Sequence, residues 1–254
     1  MCLILFAIDQ HNDYPLVVIA NRDEFYARPT RSAHWWDDHP HIFAGRDLQA
    51  QGTWMGVDRM GRFAAVTNVR EPGMKQDAPL SRGDLPKNFL AGDLIAQDYI
   101  EQLEDDMAEY AGFNLLVADD SGCWFASNRS AGITKIPAGF YGISNGRFDE
   151  PWPKLESGKR ALQQNLQVNL DADNLLMILA ASDQAHDQAL PTTGVPIETE
   201  RLLSSRFIKS DEYGTRASSL LLFSRQNTIH FTERNFDRTG AIGDAVAETI
   251  VIDS

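Results

Sequence analysis

Cys2 stands directly behind the initiator methionine, and a small second residue allows that methionine to be trimmed. The cysteine would then carry both a thiol, with a pKa of roughly 8.5, and an α-amine at about 7.7–8.0, so the amine can accept the thiol's proton near neutral pH. A terminal residue that supplies its own base is a recognised kind of activated nucleophile. The same position also suits an ordinary strand residue, because free cysteine packs as a small hydrophobe and buried thiols are usually inert. Position 22 bears on the choice. A polar segment, residues 9–15, separates the apolar run 2–8 from a second β-rich run at 16–20, which is the pattern of a hairpin. With the turn centred near Asn12, Cys2 falls opposite Arg22, and directly opposed residues have Cβ atoms about 4.5–5.5 Å apart. A guanidinium there lowers a thiol pKa and favours the thiolate. The strand ends in four polar residues, Asn21-Arg22-Asp23-Glu24, and a one-residue slip would turn Arg22 to the other face.

Two further groups of residues could do chemistry. Gly142-Ile143-Ser144-Asn145-Gly146 fits the Gly-x-Ser-x-Gly elbow of serine hydrolases, but an elbow needs a helix to begin at once after the serine. Here Pro151-Trp152-Pro153 intervenes, and the chain begins with strands rather than alternating βα units. His34, His39 and His41 cluster with Trp35 and Trp36 in a segment bounded by prolines. That offers a surface place for a haem axial ligand and a stacking ring, or simply an exposed loop. The histidine spacing matches no standard metal motif.

The elements that must position these groups read as follows. Beyond the hairpin, strands are expected at 42–44, 54–57 and 62–68. The spacing then turns helical over 88–110, where Phe89, Leu90, Leu94, Ile95, Tyr99, Leu103 and Met107 fall near one face. Strands return at 114–118, 123–126 and 141–144, helices at 152–165 and 173–181, a hairpin at 218–223 with 228–231, and a last strand at 247–252. Several strands are apolar on both faces, so the sheets should be covered on both sides. One α+β domain of stacked layers spanning 1–254 is the reading these elements favour.

Composition narrows the function. The net charge of −13 argues against nucleic acid as a partner. Most of it lies beyond residue 82, with Asp93, Asp98, Glu101, Glu104, Asp105, Asp106 and Glu109 as a solvated helix face. Arginine outnumbers lysine 17 to 6, which suits recognition of anionic groups. The N-terminal apolar run is seven residues long, too short for a membrane span and without the basic flank of a signal peptide. Two cysteines, Cys2 and Cys123, make no disulfide framework, so a reducing, cytoplasmic setting is the expectation.

Taken in order, Cys2, Asn21-Arg22-Asp23-Glu24, Gly52-Thr53-Trp54-Met55-Gly56, Thr67-Asn68, Gly142–Gly146 with Asp149-Glu150-Pro151-Trp152-Pro153-Lys154, and Tyr213-Gly214-Thr215-Arg216 resemble the NRDE family, which includes the transport-and-Golgi-organisation protein 2 homologues. That family is similar to the cysteine branch of the N-terminal nucleophile hydrolases. The resemblance implies a four-layer αββα sandwich and hydrolysis of a C–N bond in a small amphipathic molecule, with no cofactor required. It implies Cys2 as nucleophile, Arg22 and Asp23 as the groups that tune it, and Asn145 as a side-chain oxyanion donor. Asn68 would add a main-chain N–H and Arg216 a wall near the thiol. The related acylases separate their Arg and Asp by two residues, whereas Arg22 and Asp23 are adjacent here, so Asp23 and Glu24 both stand for the carboxylate role. Family members are also tied to haem handling, which implies an alternative: a carrier of haem or a similar amphipathic ligand on the same fold.

Overall fold

The computed structural model describes residues 2–73, 78–130, 132–168 and 170–253. The question of whether Met1 is retained therefore lies outside the described residues. Two compact units emerge from the chain's contacts. The first comprises residues 2–27, 70–72 and 138–249, and the second residues 28–69, 73–137 and the C-terminal end from 250.

The first unit is built on a six-stranded sheet. Its strands are β1 (Cys2–Ile8), β2 (Leu16–Phe25), β10 (Gly139–Ile143), β11 (Tyr213–Ser224), β12 (Thr228–Asp237) and β13 (Gly240–Val251), in the order β10-β1-β2-β11-β12-β13. The polar segment 9–15 turns β1 back on itself, closed by the Asp9 N–H on the Pro15 carbonyl at 2.7 Å. Cys2 pairs with Arg22 and Ile8 with Leu16, the register expected from a turn centred on Asn12. Leu3 to Ala7 are all buried, so both faces of β1 are covered.

Alternation along the strands sorts the two faces. Leu3, Leu5, Val17, Ile19, Leu220 and Leu222 point to one side and pack with Leu155, Leu162, Leu175 and Leu179. These last come from α3 (Pro153–Val168) and α4 (Ala172–Leu179). The helix α3 lies so close to β1 that a Cβ on Gly158 would sit 2.5 Å from Leu5 Cδ1, which is why the position tolerates no side chain. Asp171 caps α4 by accepting the N–H groups of Asp173 and Asn174. A short helix, α5 (Ile197–Ser204), completes the unit.

The second unit carries a seven-stranded sheet in sequential order. Its strands are β3 (Thr30–Trp35), β4 (Ile42–Asp47), β5 (Met55–Asp58), β6 (Phe63–Asn68), β7 (Phe113–Asp119), β8 (Gly122–Ser127) and β9 (Thr134–Lys135). The single long helix expected over 88–110 is instead α1 (Asp84–Ala91), α2 (Ala96–Leu103) and a 3₁₀ segment, Glu104–Glu109. Gly92 ends α1 in an extended conformation while its N–H still reaches the Asn88 carbonyl at 3.0 Å. Asp119 then accepts the Ala96 N–H and fixes the start of α2. The break moves Leu94 and Ile95 off the core face and leaves them exposed, while Phe89, Leu90, Ile100 and Leu103 keep it. The acidic residues of this stretch are all exposed, as a solvated face requires.

Candidate active site

Cys2 lies on a strand flanked on both sides. On one side the β1–β2 ladder sets it opposite Arg22. On the other, β1 and β10 pair antiparallel with Ile4 opposite Ile143. Beyond Ile143 the ladder ends, and the Ser144 hydroxyl donates to the Cys2 carbonyl at 3.1 Å, which brings the Ser144-Asn145 segment to this edge of β1. The first strand thus sets Cys2 between Arg22 on β2 and the Ser144-Asn145 segment after β10, which lie far apart in the chain.

Each neighbour is held in place. Arg22 is 5% exposed, and its guanidinium lies 4.0 Å from the Glu24 carboxylate. Asn145 is buried, and its side-chain oxygen accepts from Ser144 at 3.3 Å, an orientation that leaves Nδ2 as the donor end. Its carbonyl takes the Arg70 N–H at 2.8 Å. The Asp23 carboxyl is buried, accepts the Thr215 hydroxyl at 2.7 Å, and lends its carbonyl to the Tyr213 hydroxyl at 2.9 Å. Its main-chain N–H donates to the Cys2 sulfur. Of the two carboxylates open from the sequence, Asp23 is therefore enclosed beside the thiol, while Glu24 is partly exposed and paired with Arg22.

Arg216 occupies a kink. The β2–β11 ladder runs from Thr215 opposite Asp23 to Ala217 opposite Arg22, so Arg216 is the extra residue of a β-bulge. Bulges re-aim side chains and gather near functional sites. The Arg216 guanidinium donates to the carbonyls of Phe25 at 2.9 Å and Tyr26 at 3.3 Å, three and four residues along the chain from Arg22. This ties down the far end of β2.

Burial governs the electrostatics. It pushes the Cys2 thiol up, while Arg22 and the Asp23 N–H pull it down and the Asp23 charge adds to the rise. Burial likewise raises the Asp23 carboxyl, against the charges of Lys154 and Arg22 and the Thr215 hydrogen bond. Cys123 supplies a contrast within the same chain: burial pushes its thiol up to about 12 against the pull of the Trp124 N–H.

The structure adds residues that no sequence argument had given a role. Lys154, 3% exposed, donates its ammonium to the Leu203 carbonyl at 3.0 Å. Burial lowers its pKa to about 8, while the charges of Asp23, Cys2 and Glu200 raise it. Arg70 and Glu200 form a buried ion pair at 2.7 Å, and the Arg70 guanidinium lies 5.1 Å above the Trp152 ring. Lys154, Tyr213 and Thr215 stood inside the motif strings, which was the available signal. Arg70 and Glu200 gave none.

Cys2, Arg22, Asp23, Asn145 and Arg216 all belong to the first unit. Asn68 ends β6 in the second unit, opposite Phe113. His34, His39 and His41 also belong there. His34 Nδ1 bonds the Ser32 carbonyl at 2.7 Å and His41 Nε2 the Leu90 carbonyl at 3.1 Å, so each spends one ring nitrogen on the main chain. Among the described residues no group of three His, Cys, Asp or Glu side chains could hold a metal ion.

The chain resembles in structure a mutant of conjugated bile acid hydrolase from Clostridium perfringens, with a TM-score of 0.55 at 9% identity over 98% of this chain and 92% of that one. It also resembles the Caenorhabditis elegans orthologue of N-acylethanolamine-hydrolyzing acid amidase, with a TM-score of 0.51 at 12% identity over 87% and 92%. The fold is thus that of the N-terminal nucleophile hydrolases, α+β with two antiparallel sheets and five helices among the described residues. The chain belongs to the Transport and Golgi organisation 2 family, whose model matches residues 1–238. Relatives include the Transport and Golgi organization protein 2 homologs of Bos taurus, 32% identical, and Homo sapiens, 29% identical, each covering 92% of this chain and 93% of its own length. Among the described residues no helix is long and apolar enough to cross a membrane.

Proposed function

We propose that the protein is a cysteine amidohydrolase whose nucleophile is Cys2, freed by removal of Met1, and whose substrate is a small amphipathic amide. The observation that supports this reading is the position of Cys2 opposite Arg22 in the β1–β2 ladder, with the Asp23 N–H on its sulfur and Ser144, the neighbour of Asn145, bonded to its carbonyl. Burial holds the thiol in its protonated form, so attack requires a base at the sulfur, and the α-amine of a terminal cysteine is that base. The thiol proton passes to the amine as sulfur bonds to the amide carbon. The oxyanion is met by the Asn145 side-chain amide. The C–N bond then breaks as the ammonium returns its proton to the leaving amine. Water cleaves the thioester, its proton passes through the α-amine to the departing thiolate, and the free acid leaves. Arg22 favours the thiolate, Asp23 orients the terminal amine, and Arg216 fixes the wall at the end of β2.

The names of the structural neighbours, a conjugated bile acid hydrolase and an N-acylethanolamine-hydrolyzing acid amidase, support an amphipathic N-acyl substrate. A haem carrier on the same fold is the second reading, and a main-chain carbonyl on one ring nitrogen of His34 and of His41 is compatible with a ligand at the other. The test is turnover of N-acyl amides by the Asn145→Ala variant. Loss of one oxyanion donor lowers kcat by about 10²–10³-fold with the fold retained by circular dichroism. Wild-type turnover in that variant removes Asn145 from the mechanism. A Soret shift that saturates with haem and disappears in His→Ala variants would favour the carrier.

A further inference from the structure

A pocket of about 350 Å³ opens at the start of α3, apart from the Cys2 thiol in its lining, between the first turns of that helix and the segments around residues 181–185 and 204–206. That volume is at the lower end of small-molecule sites, which begin near roughly 300 Å³. Three cations line it: Lys154, Arg160 and Arg206. The acids in the lining do not balance the two arginines. Glu156 is committed to Lys159 at 2.8 Å. Asp183 bears on Arg206 only as a nearby charge, without ion-pair contact among the described residues. Lys154 makes one hydrogen bond, to a carbonyl, and is 3% exposed. Arg206 has a buried Nη1 with no acceptor, whereas buried charged donors are normally paired.

We propose that this pocket binds an oxyanion, the carboxylate or phosphate group of a small ligand, through Arg160, Arg206 and Lys154. Arginine's planar fork matches both groups in bidentate fashion, and an ammonium adds a third donor. The remaining lining is small and polar or aliphatic, including Ser157 and Ala185, so it accommodates a compact headgroup rather than a large ring. Burial lowers the pKa of Arg206, the direction expected of a cation deprived of water and of a partner. Lys154 is shared with the charges around the thiol, whereas Arg160 and Arg206 are not part of the thiol site, so the test rests on the two arginines.

Isothermal titration with sodium phosphate and, in a separate arm, sodium acetate tests this, with ionic strength held constant by sodium chloride. Saturable one-to-one binding of either anion is expected, and the tighter of the two names the headgroup. Affinity should fall at least tenfold in Arg160→Ala and further in the double variant Arg160→Ala/Arg206→Met. It should not change in Arg238→Ala, an exposed arginine elsewhere. Arg160 is itself exposed, so its variant keeps the fold even if the double variant does not, and Ser157→Glu provides a second single change that should repel the anion. Absence of saturable binding of both anions overturns the proposal. So does unaltered affinity in both Arg160→Ala and Ser157→Glu. Neither result alters the rate at which Cys2 is alkylated, which reports on the thiol site alone.

Discussion

At Cys2 a desolvated thiol is pulled back toward ionisation by two neighbours, the Arg22 guanidinium and the Asp23 N–H. Since the thiolate is the reactive form, removing the cation should slow thiol capture. In Arg22→Met, alkylation of Cys2 by iodoacetamide at pH 8 is expected to fall by about tenfold for each pKa unit gained; an unchanged rate would show that Arg22 does not act on the sulfur. Cys123, already pushed up to about 12, serves as the internal unreactive thiol. Lys154 gives a prediction with a definite sign. Its ammonium titrates at about 8 in the folded chain against an ordinary 10.5. Below pH 8 both states hold the proton and the cost of burying the charge is fully present. Between those two values the unfolded chain carries more protons, so stability rises with pH. The rise amounts to about 3 kcal/mol at most, taking 1.36 kcal/mol per unit. Urea midpoints measured from pH 8 to 10 should climb in the wild type relative to Lys154→Met. Parallel curves would mean that the lysine is not desolvated.

Among the elements, the β1–β2 hairpin was legible to the residue, because seven apolar positions, a polar turn and a second apolar run leave one register that keeps every large side chain inside. The long helix over 88–110 was not. Its apolar spacing continues through Leu94 and Ile95, yet Gly92 releases the chain, and the Asp119 bond that restarts it comes from a strand distant in sequence. Three elements were missed outright, the two-residue β9 among them. β3 is polar along most of its length, and α5 follows a Pro- and Thr-rich stretch with a glutamate, Glu200, turned inward. That inward glutamate makes sense only with Arg70, 130 residues away. Breaking a buried pair by removing one partner costs about 3–5 kcal/mol, while replacing both with apolar groups can restore much of it. Glu200→Ala should therefore lower the urea midpoint by that amount, and the double variant Arg70→Met/Glu200→Ala should recover most of the loss. Equal loss in both variants would mean that the pair matters for its hydrogen bonds to Thr193 and not for its charge.

Over the whole molecule, the order of short motifs carried more than their spacing. A bile acid hydrolase of similar fold is only 9% identical in sequence. In this chain the β1–β2 ladder sets Cys2 opposite Arg22 and next to Asp23. The bulge at Arg216 could not be read from sequence, since nothing in Tyr213-Gly214-Thr215-Arg216 says that one residue will be left unpaired. The central claim is that the mature chain begins with a nucleophilic cysteine. Intact-mass and peptide mass spectrometry after incubation with an N-acyl amide, with rapid acid quenching, tests it most directly. The expected result is a protein lacking Met1 that carries one acyl group on Cys2 and none on Cys123. A chain that retains Met1, or one that never acquires an acyl group at Cys2 under conditions where the amide is consumed, would contradict it.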